Sequence, residues 1–274
     1  MLVDGVKVWR FGFGAIDISL FPVFMGIVNV TPDSFSDGGK YFAIDDAVRH
    51  GLELIESGAG IIDVGGESTR PGSEAVLVEE ELRRVIGVIE GIRRVDKNIP
   101  ISVDTNKTPV AKAALNAGAN IINDVFSAED NGMIKLLRET GAAICIMHRQ
   151  GNPKTMQDNP VYKNVVSEVW DYLNRRRREL ITAGIDGECI AVDPGIGFGK
   201  TAEHNWRLVE NIEQFTNLNA PLLVGHSRKR FLDAKFKNRE EGTKYVTKIL
   251  TQKGVNIIRV HKIHSEYREL QRTN

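Results

Sequence analysis

The apolar positions of this chain fall into short continuous runs separated by longer stretches with helical spacing, and the two kinds alternate. Eight runs have the length and β-branched content of fully buried strands: Val23–Val28, Ile61–Val64, Ile101–Val103, Ile121–Val125, Ala143–Met147, Ile190–Val192, Leu222–Val224 and Ile257–Val260. The helical patterns between them run from about Ile44 to Glu56, over Val78–Arg94, from Pro109 to Asn116, over Met133–Arg138, over Val161–Ala183, after His204, over Arg239–Lys253 and from His264 to Arg272. Gly118, Gly141 and Gly184 stand where three of them stop, and Pro109 stands in a first turn. Ahead of this rhythm, residues 1–20 alternate around Gly12 and Gly14, which predicts a β-hairpin laid across one end of the molecule.

Eight strand–helix units in 274 residues predict an α/β fold, a (β/α)8 TIM barrel with an N-terminal β-hairpin, in one domain covering 1–274 with the hairpin over 1–20 and the barrel over 21–274. An open doubly wound sheet is the runner-up. Against it, the apolar strands are evenly spread and no composition shift marks a boundary. A chain of this length buries about three quarters of its unfolded surface, so it needs no staples. Cys145 and Cys189 lie in apolar runs with no CxxC, which suits reduced core cysteines of a cytoplasmic protein. Lys plus Arg and Asp plus Glu number 36 each, so no global field recruits nucleic acid or a membrane. No run approaches the roughly 18 apolar residues of a membrane span, and the first residues lack the order of a secretion signal. Arg175–Arg178 lies in an acid-rich helical pattern and reads as a solvated face.

In such a barrel the site stands on the C-terminal ends of the strands. Those ends carry Asn29, Asp63, Asp104, Asn123-Asp124, Met147-His148, Asp193-Pro-Gly195, Gly225-His-Ser-Arg-Lys229 and Arg259-Val-His261. A single strand-end Asp is an ordinary turn or cap residue, but a polar group on all eight is poorly explained by capping. Asn123 shares the parity of apolar Ile121 and is expected to face inward. Arg259 and His261 are two apart and share a face, an expensive choice unless an anion sits there. Asp104, Asn123 and Asp193 supply acceptors suited to a flat heterocycle with a guanidine-like edge. Arg259, His261, Ser227 and Arg70 suit phosphates, Lys229 serves either ligand, and Asn29 is a neutral oxygen ligand fit for Mg²⁺. The stretch Pro194-Gly-Ile-Gly-Phe-Gly-Lys-Thr201 imitates a phosphate-cradling loop, but that pattern needs Gly where Pro194 stands.

These residues also carry a resemblance. Asn29-Val-Thr-Pro-Asp-Ser-Phe-Ser-Asp-Gly-Gly39, Asp63-Val-Gly-Gly-Glu-Ser-Thr-Arg-Pro-Gly72, Met147-His with Gly151-Asn-Pro-Lys-Thr-Met-Gln157, Asp193-Pro-Gly-Ile-Gly-Phe-Gly-Lys200 and Ser227-Arg-Lys229 resemble the dihydropteroate synthase family, in order and over nearly the whole chain. The resemblance implies a transferase of folate biosynthesis that joins 6-hydroxymethyl-7,8-dihydropterin diphosphate to p-aminobenzoate with Mg²⁺ and releases diphosphate. It implies a pterin pocket of Asp104, Asn123, Asp193 and Lys229 walled by Met147, Phe198 and Gly225. It implies a p-aminobenzoate site of Thr69, Arg70, Pro71, Ser227 and Phe35, a diphosphate site of Arg70, Arg259 and His261, and a metal ligand in Asn29. Lys229, Arg259, His261 and Asp104 are the residues it makes catalytic. A homodimer and sensitivity to sulfonamides are further implications.

The chain departs from the family pattern in two places. Lys262 stands where an Asp usually follows Arg-Val-His, and the helix around Thr243 to Lys253 is more polar than the small-residue-rich helix often found there. Two other readings remain: a silent pterin-binding homologue, and a corrinoid-dependent pterin methyltransferase, which would not need the diphosphate residues.

Overall fold

The structure, a computed structural model, describes residues 2–3, 6–12, 14–19, 22–30, 40–68, 75–151 and 155–267. Strands β1 (Leu2–Val3), β2 (Val6–Phe11) and β3 (Gly14–Asp17) form an antiparallel sheet in that order. The expected hairpin therefore has a third strand, because Leu2 and Val3 pair back onto Lys7 and Val6.

All eight apolar runs become parallel strands: β4 (Val23–Asn29), β5 (Ile61–Gly65), β6 (Ile101–Asp104), β7 (Ile121–Asp124), β8 (Ala143–Met147), β9 (Ile190–Asp193), β10 (Leu223–Gly225) and β11 (Ile257–Val260). Their order is β10-β11-β4-β5-β6-β7-β8-β9. A parallel bridge from Val192 to Leu222, with Val192 N–H donating to Pro221 O at 2.9 Å, joins the two ends. The sheet is thus a barrel, and the open-sheet alternative falls because no pair of free edges is left.

Seven α-helices among the described residues surround it: α1 (Lys40–Glu56), α2 (Val78–Val95), α3 (Thr108–Asn116), α4 (Asn131–Thr140), α5 (Val165–Thr182), α6 (Ala202–Glu210) and α7 (Arg239–Gln252). Local hydrogen bonds fix their ends. The α5 helix starts at Val165 rather than at Val161 because Asn164 accepts from Val166 N–H and Ser167 N–H, a cap that the apolar spacing alone does not reveal. Asp130 caps α4 in the same way, and Gly141 ends it at φ 66°. Of the expected last helix, only a turn up to Tyr267 lies within the described residues. No described helix is long and apolar enough to cross a membrane. The arginine run on α5 is only partly a solvated face: Arg176 donates to the carbonyls of Ser127 and Ala128, and Arg177 to that of Gly187.

Two apolar clusters result. The larger fills the layer between strands and helices. The smaller fills the lower barrel with Met25, Ile61, Ile121, Ala143, Cys145 and their neighbours, and Trp9, Ile16 and Ile18 of the N-terminal sheet plug it from below. Trp9 is fully buried, and its indole N–H donates to Cys189 O at 3.0 Å. Since side chains alternate along a strand, the apolar lower residues dictate which upper residues point inward: Asp63 above Ile61, Asn123 above Ile121, Asp193 above Ala191, and Arg259 above Ile257. The plug at one end leaves the other as the only polar mouth of the described barrel.

Candidate active site

Arg259 lies in β11 opposite Gly225 of β10. Its Nε donates to Asp63 Oδ2 at 2.6 Å and its Nη2 to Asp104 Oδ2 at 2.8 Å, so one fork clamps carboxylates from two other strands. Asp63 is fully buried, and the same oxygen accepts from Asn123 Nδ2 at 3.2 Å. Burial pushes the Asp104 carboxyl up to about 7; Arg259 opposes this shift and Asp63 adds to it. For Arg259, burial works against the charge, but Asp63 and Asp104 outweigh it and hold its pKa above the ordinary value.

Lys229 enters from the loop after β10. Its Nζ donates to Ile196 O at 2.6 Å and sits 4.6 Å from the centroid of the Phe198 ring. Burial brings its pKa down to about 8, with Asp193 opposing. Asp193, at the end of β9, accepts from Gly195 N–H at 2.7 Å; burial raises its pKa and Lys229 opposes. Met147 is buried at the end of β8 beside this loop. The loop packs backbone to backbone against the turn after β8. A Cβ on Gly195 (φ 69°) would lie 1.9 Å from His148 O, and one on Gly199 (φ 62°) 2.3 Å from Gln150 O.

The three expected acceptors share one feature. Asp104 and Asp193 each have one carboxylate oxygen committed and Asn123 has its amide nitrogen committed. Among the described residues the remaining oxygens of all three, Asp104 Oδ1, Asn123 Oδ1 and Asp193 Oδ2, accept no hydrogen bond and none is sealed from solvent. On the far side of Arg259, His261 Nδ1 lies 3.0 Å from Ser227 Oγ, so the residues expected in the phosphate and p-aminobenzoate sites touch each other. Asn29 ends β4 opposite Gly65, exposed at the mouth. No three His, Cys, Asp or Glu among the described residues group to hold a metal ion. Asn29 alone fits a Mg²⁺ that keeps its waters and leans on substrate phosphates. Phe35, Thr69, Arg70 and Pro71 lie outside the described residues.

Two residues of the site have roles that the sequence reading did not assign them. Asp63 holds both Arg259 and Asn123, and its inward parity with Ile61 was the available signal. Lys200 is 3% exposed and donates to His148 Nδ1 at 2.9 Å and to the carbonyls of His148, Gly195 and Phe198. Its neighbour Thr201 caps α6 in a reciprocal box with His204. The Gly-Lys-Thr resemblance to a phosphate loop thus resolves into a buried lysine and a helix cap.

A closed (β/α)8 barrel whose carboxylates and cations converge at the C-terminal ends of its strands defines a barrel enzyme with its site at that mouth. The family model for pterin binding enzymes matches residues 25–261. Dihydropteroate synthase of Escherichia coli K12 is 46% identical over 253 residues, covering 91% of this chain and 89% of that one. Among solved structures, Yersinia pestis dihydropteroate synthase in a sulfonamide drug complex superposes with a TM-score of 0.89 at 37% identity, covering 96% of each chain. The Xanthomonas albilineans dihydropteroate synthase with 4-aminobenzoic acid gives 0.88 at 39%, covering 97% of this chain and 96% of that one. The chain belongs to the pterin-binding enzymes and, within them, to the dihydropteroate synthase family.

Proposed function

We propose that this chain is a dihydropteroate synthase, condensing 6-hydroxymethyl-7,8-dihydropterin diphosphate with p-aminobenzoate to 7,8-dihydropteroate and diphosphate. The observation that carries the reading is the set of three uncommitted acceptor oxygens on Asp104, Asn123 and Asp193 beside the cations of Arg259 and Lys229. The acceptors suit the donor edge of a pterin, with Lys229 on a ring acceptor and Met147, Phe198 and Gly225 as walls. Arg259 and His261, together with Arg70, are assigned to the diphosphate. Ser227, with Thr69, Arg70, Pro71 and Phe35, takes p-aminobenzoate.

Ser227 and His261 touch in this site, but both are assigned to ligand binding rather than to a nucleophile–base pair, and positioning and charge stabilisation are the means of catalysis. The bond from the pterin methylene carbon to oxygen breaks, and its electron pair leaves with diphosphate. The methylene cation is then attacked by the arylamine nitrogen, which forms the new C–N bond and gives up a proton. Arg259 and His261 stabilise charge on the departing group, while Asp104 and Asp193 stabilise the cationic ring. Asn29 and the diphosphate would hold Mg²⁺, which supplies charge neutralisation on the leaving oxygens.

Diphosphate release from the dihydropterin diphosphate, followed with dihydropteroate formation in the presence of p-aminobenzoate, tests this. Coupled formation of both products is the expected result; tight pterin binding with neither product would overturn it in favour of a silent homologue. The sulfonamide complex of the Yersinia pestis relative supports competition by sulfonamides with p-aminobenzoate. We also place the reaction in the cytoplasm, on the two free buried cysteines, and expect a homodimer on the family resemblance, which sedimentation checks.

A further inference from the structure

We propose that Lys200, which lies behind the site and touches no substrate, is a positioning residue that sets the height of the Gly195–Gly199 loop and thereby the placement of Lys229 and Phe198. The inference rests on the pterin-pocket reading above. Its basis is how that loop is held. Gly195 O and Phe198 O accept from Lys200 at 2.9 and 3.0 Å, Ile196 O from Lys229 at 2.6 Å, Gly197 O from Gln157 Nε2 at 2.6 Å and Gly199 O from Tyr162 OH at 2.8 Å. Five consecutive carbonyls are thus each gripped by a side chain. Such complete side-chain satisfaction is rare for a loop, whose carbonyls ordinarily turn to water.

Both lysines hold this loop. Lys229 holds Ile196 O, while Lys200 holds Gly195 O just before it and Phe198 O two residues after it. Ile196 O is the hydrogen-bond partner of Lys229 and Phe198 is the ring below its ammonium, so displacement of the loop moves both. Lys200 is anchored in turn to the turn after β8, through His148 Nδ1 at 2.9 Å and His148 O at 3.3 Å. Four acceptors converge on the Lys200 nitrogen, whose pKa burial brings well below its ordinary value with Asp193 opposing, and a donating Nζ pairs with the His148 tautomer that has its proton on Nε2. Burial, reinforced by the Lys200 charge, brings the His148 pKa down to about 2, which keeps this acceptor available. Methionine at 200 would fill the same volume and release all four acceptors at once.

The test is a double-mutant cycle of Lys200→Met and Lys229→Met, read as the Kd for dihydropterin diphosphate and as separate KM values for the two substrates. In the otherwise unchanged chain, Lys200→Met is expected to raise the pterin Kd and KM on the order of tenfold and leave the KM for p-aminobenzoate in place. In the Lys229→Met background the same change is expected to matter less than about threefold, since the residue it positions is gone. Equal factors in both backgrounds, or equal rises in both KM values, overturn the assignment and leave Lys200 as general scaffold. Should Lys200→Met not fold, Gln157→Leu with Tyr162→Phe loosens the same loop from its outer side, and an unchanged pterin KM there overturns the assignment as well. A wild-type chain that binds no pterin rejects the pocket reading together with this inference, whereas pterin binding with multiplicative losses rejects this inference alone.

Discussion

At Arg259, one guanidinium answers to two buried carboxylates before any substrate arrives. Nε and Nη2 are committed to Asp63 and Asp104, which leaves Nη1 and the outer face of the group for an anion. This arrangement makes the residue structural as well as functional. Asp63 is fully buried and Asp104 nearly so, and without the fork both lose the guanidinium that holds them. Arg259→Ala is therefore expected to lower stability by about 3–5 kcal/mol besides abolishing turnover, because removing one partner strands buried charge. Arg259→Lys should recover little of it, since a point charge cannot reach two carboxylates with fixed parallel donors. Urea unfolding of the three proteins checks this. An Arg259→Ala chain as stable as the parent would mean that the carboxylates find another partner, and the clamp would lose its assigned weight.

The turns after β8, β9 and β10 are held by side chains from neighbouring elements, and it is at this scale that the sequence is only half readable. The strands were legible because an all-buried parallel strand is a continuous apolar run, and inward parity followed from a single apolar reference such as Ile121 below Asn123. The polar character of α7 was visible but unexplained. In the fold, Thr243 Oγ1 accepts from Arg228 N–H at 3.0 Å, and Thr247 Oγ1 lies 2.9 Å from His226 Nε2, so α7 holds the Ser227–Lys229 turn, including Arg228 at φ 58°. Such a contact joins positions about twenty residues apart and leaves no periodic trace. The sequence assigns Lys200 no role for a similar reason: the four acceptors around it come from two loops, and neither signals the other in sequence. The glycines between those loops give an element-scale prediction. Gly195→Ala puts a methyl group 1.9 Å from His148 O and should cost several kcal/mol with loss of pterin binding. Gly254→Ala, at φ 78° with nothing within 4 Å of the added carbon, should cost only the left-handed backbone strain of about 1–2 kcal/mol. Equal losses in the two variants would show that backbone strain, rather than the contact with the turn after β8, decides Gly195.

For the molecule as a whole, the buried site groups impose opposing proton linkages. His148 and His226 are held neutral, their pKa values brought down by burial to about 2 and about 4. Below the unfolded histidine value of about 6.5 the unfolded chain binds protons that the folded chain refuses, so each histidine withdraws stability as pH falls through that range. Asp104 and Asp124 act in the other direction. Burial raises them to about 7 and about 6, so between the unfolded value near 4 and these pKa values the folded chain holds protons that the unfolded chain has released. Acidification over that window therefore adds the stability that the histidines withdraw. Carboxylates with lowered pKa, such as Asp96 and Asp233, lose their contribution only below about 4, outside the window. Asp193, also raised by burial, acts with these carboxyls, so from pH 6 to about 4.5 the parent chain should lose less stability on acidification than its two histidines alone would withdraw. Asp104→Asn removes one carboxyl from this balance and leaves both histidines, so its profile should fall on acidification more steeply by about 1.4 kcal/mol per pH unit. Unfolding free energies of both proteins at several pH values between 4.5 and 6.5 measure the difference in slope. A constant offset at every pH would mean that the Asp104 carboxyl is ionised throughout, and with it the pairing to Arg259 would have to outweigh burial at the centre of the site.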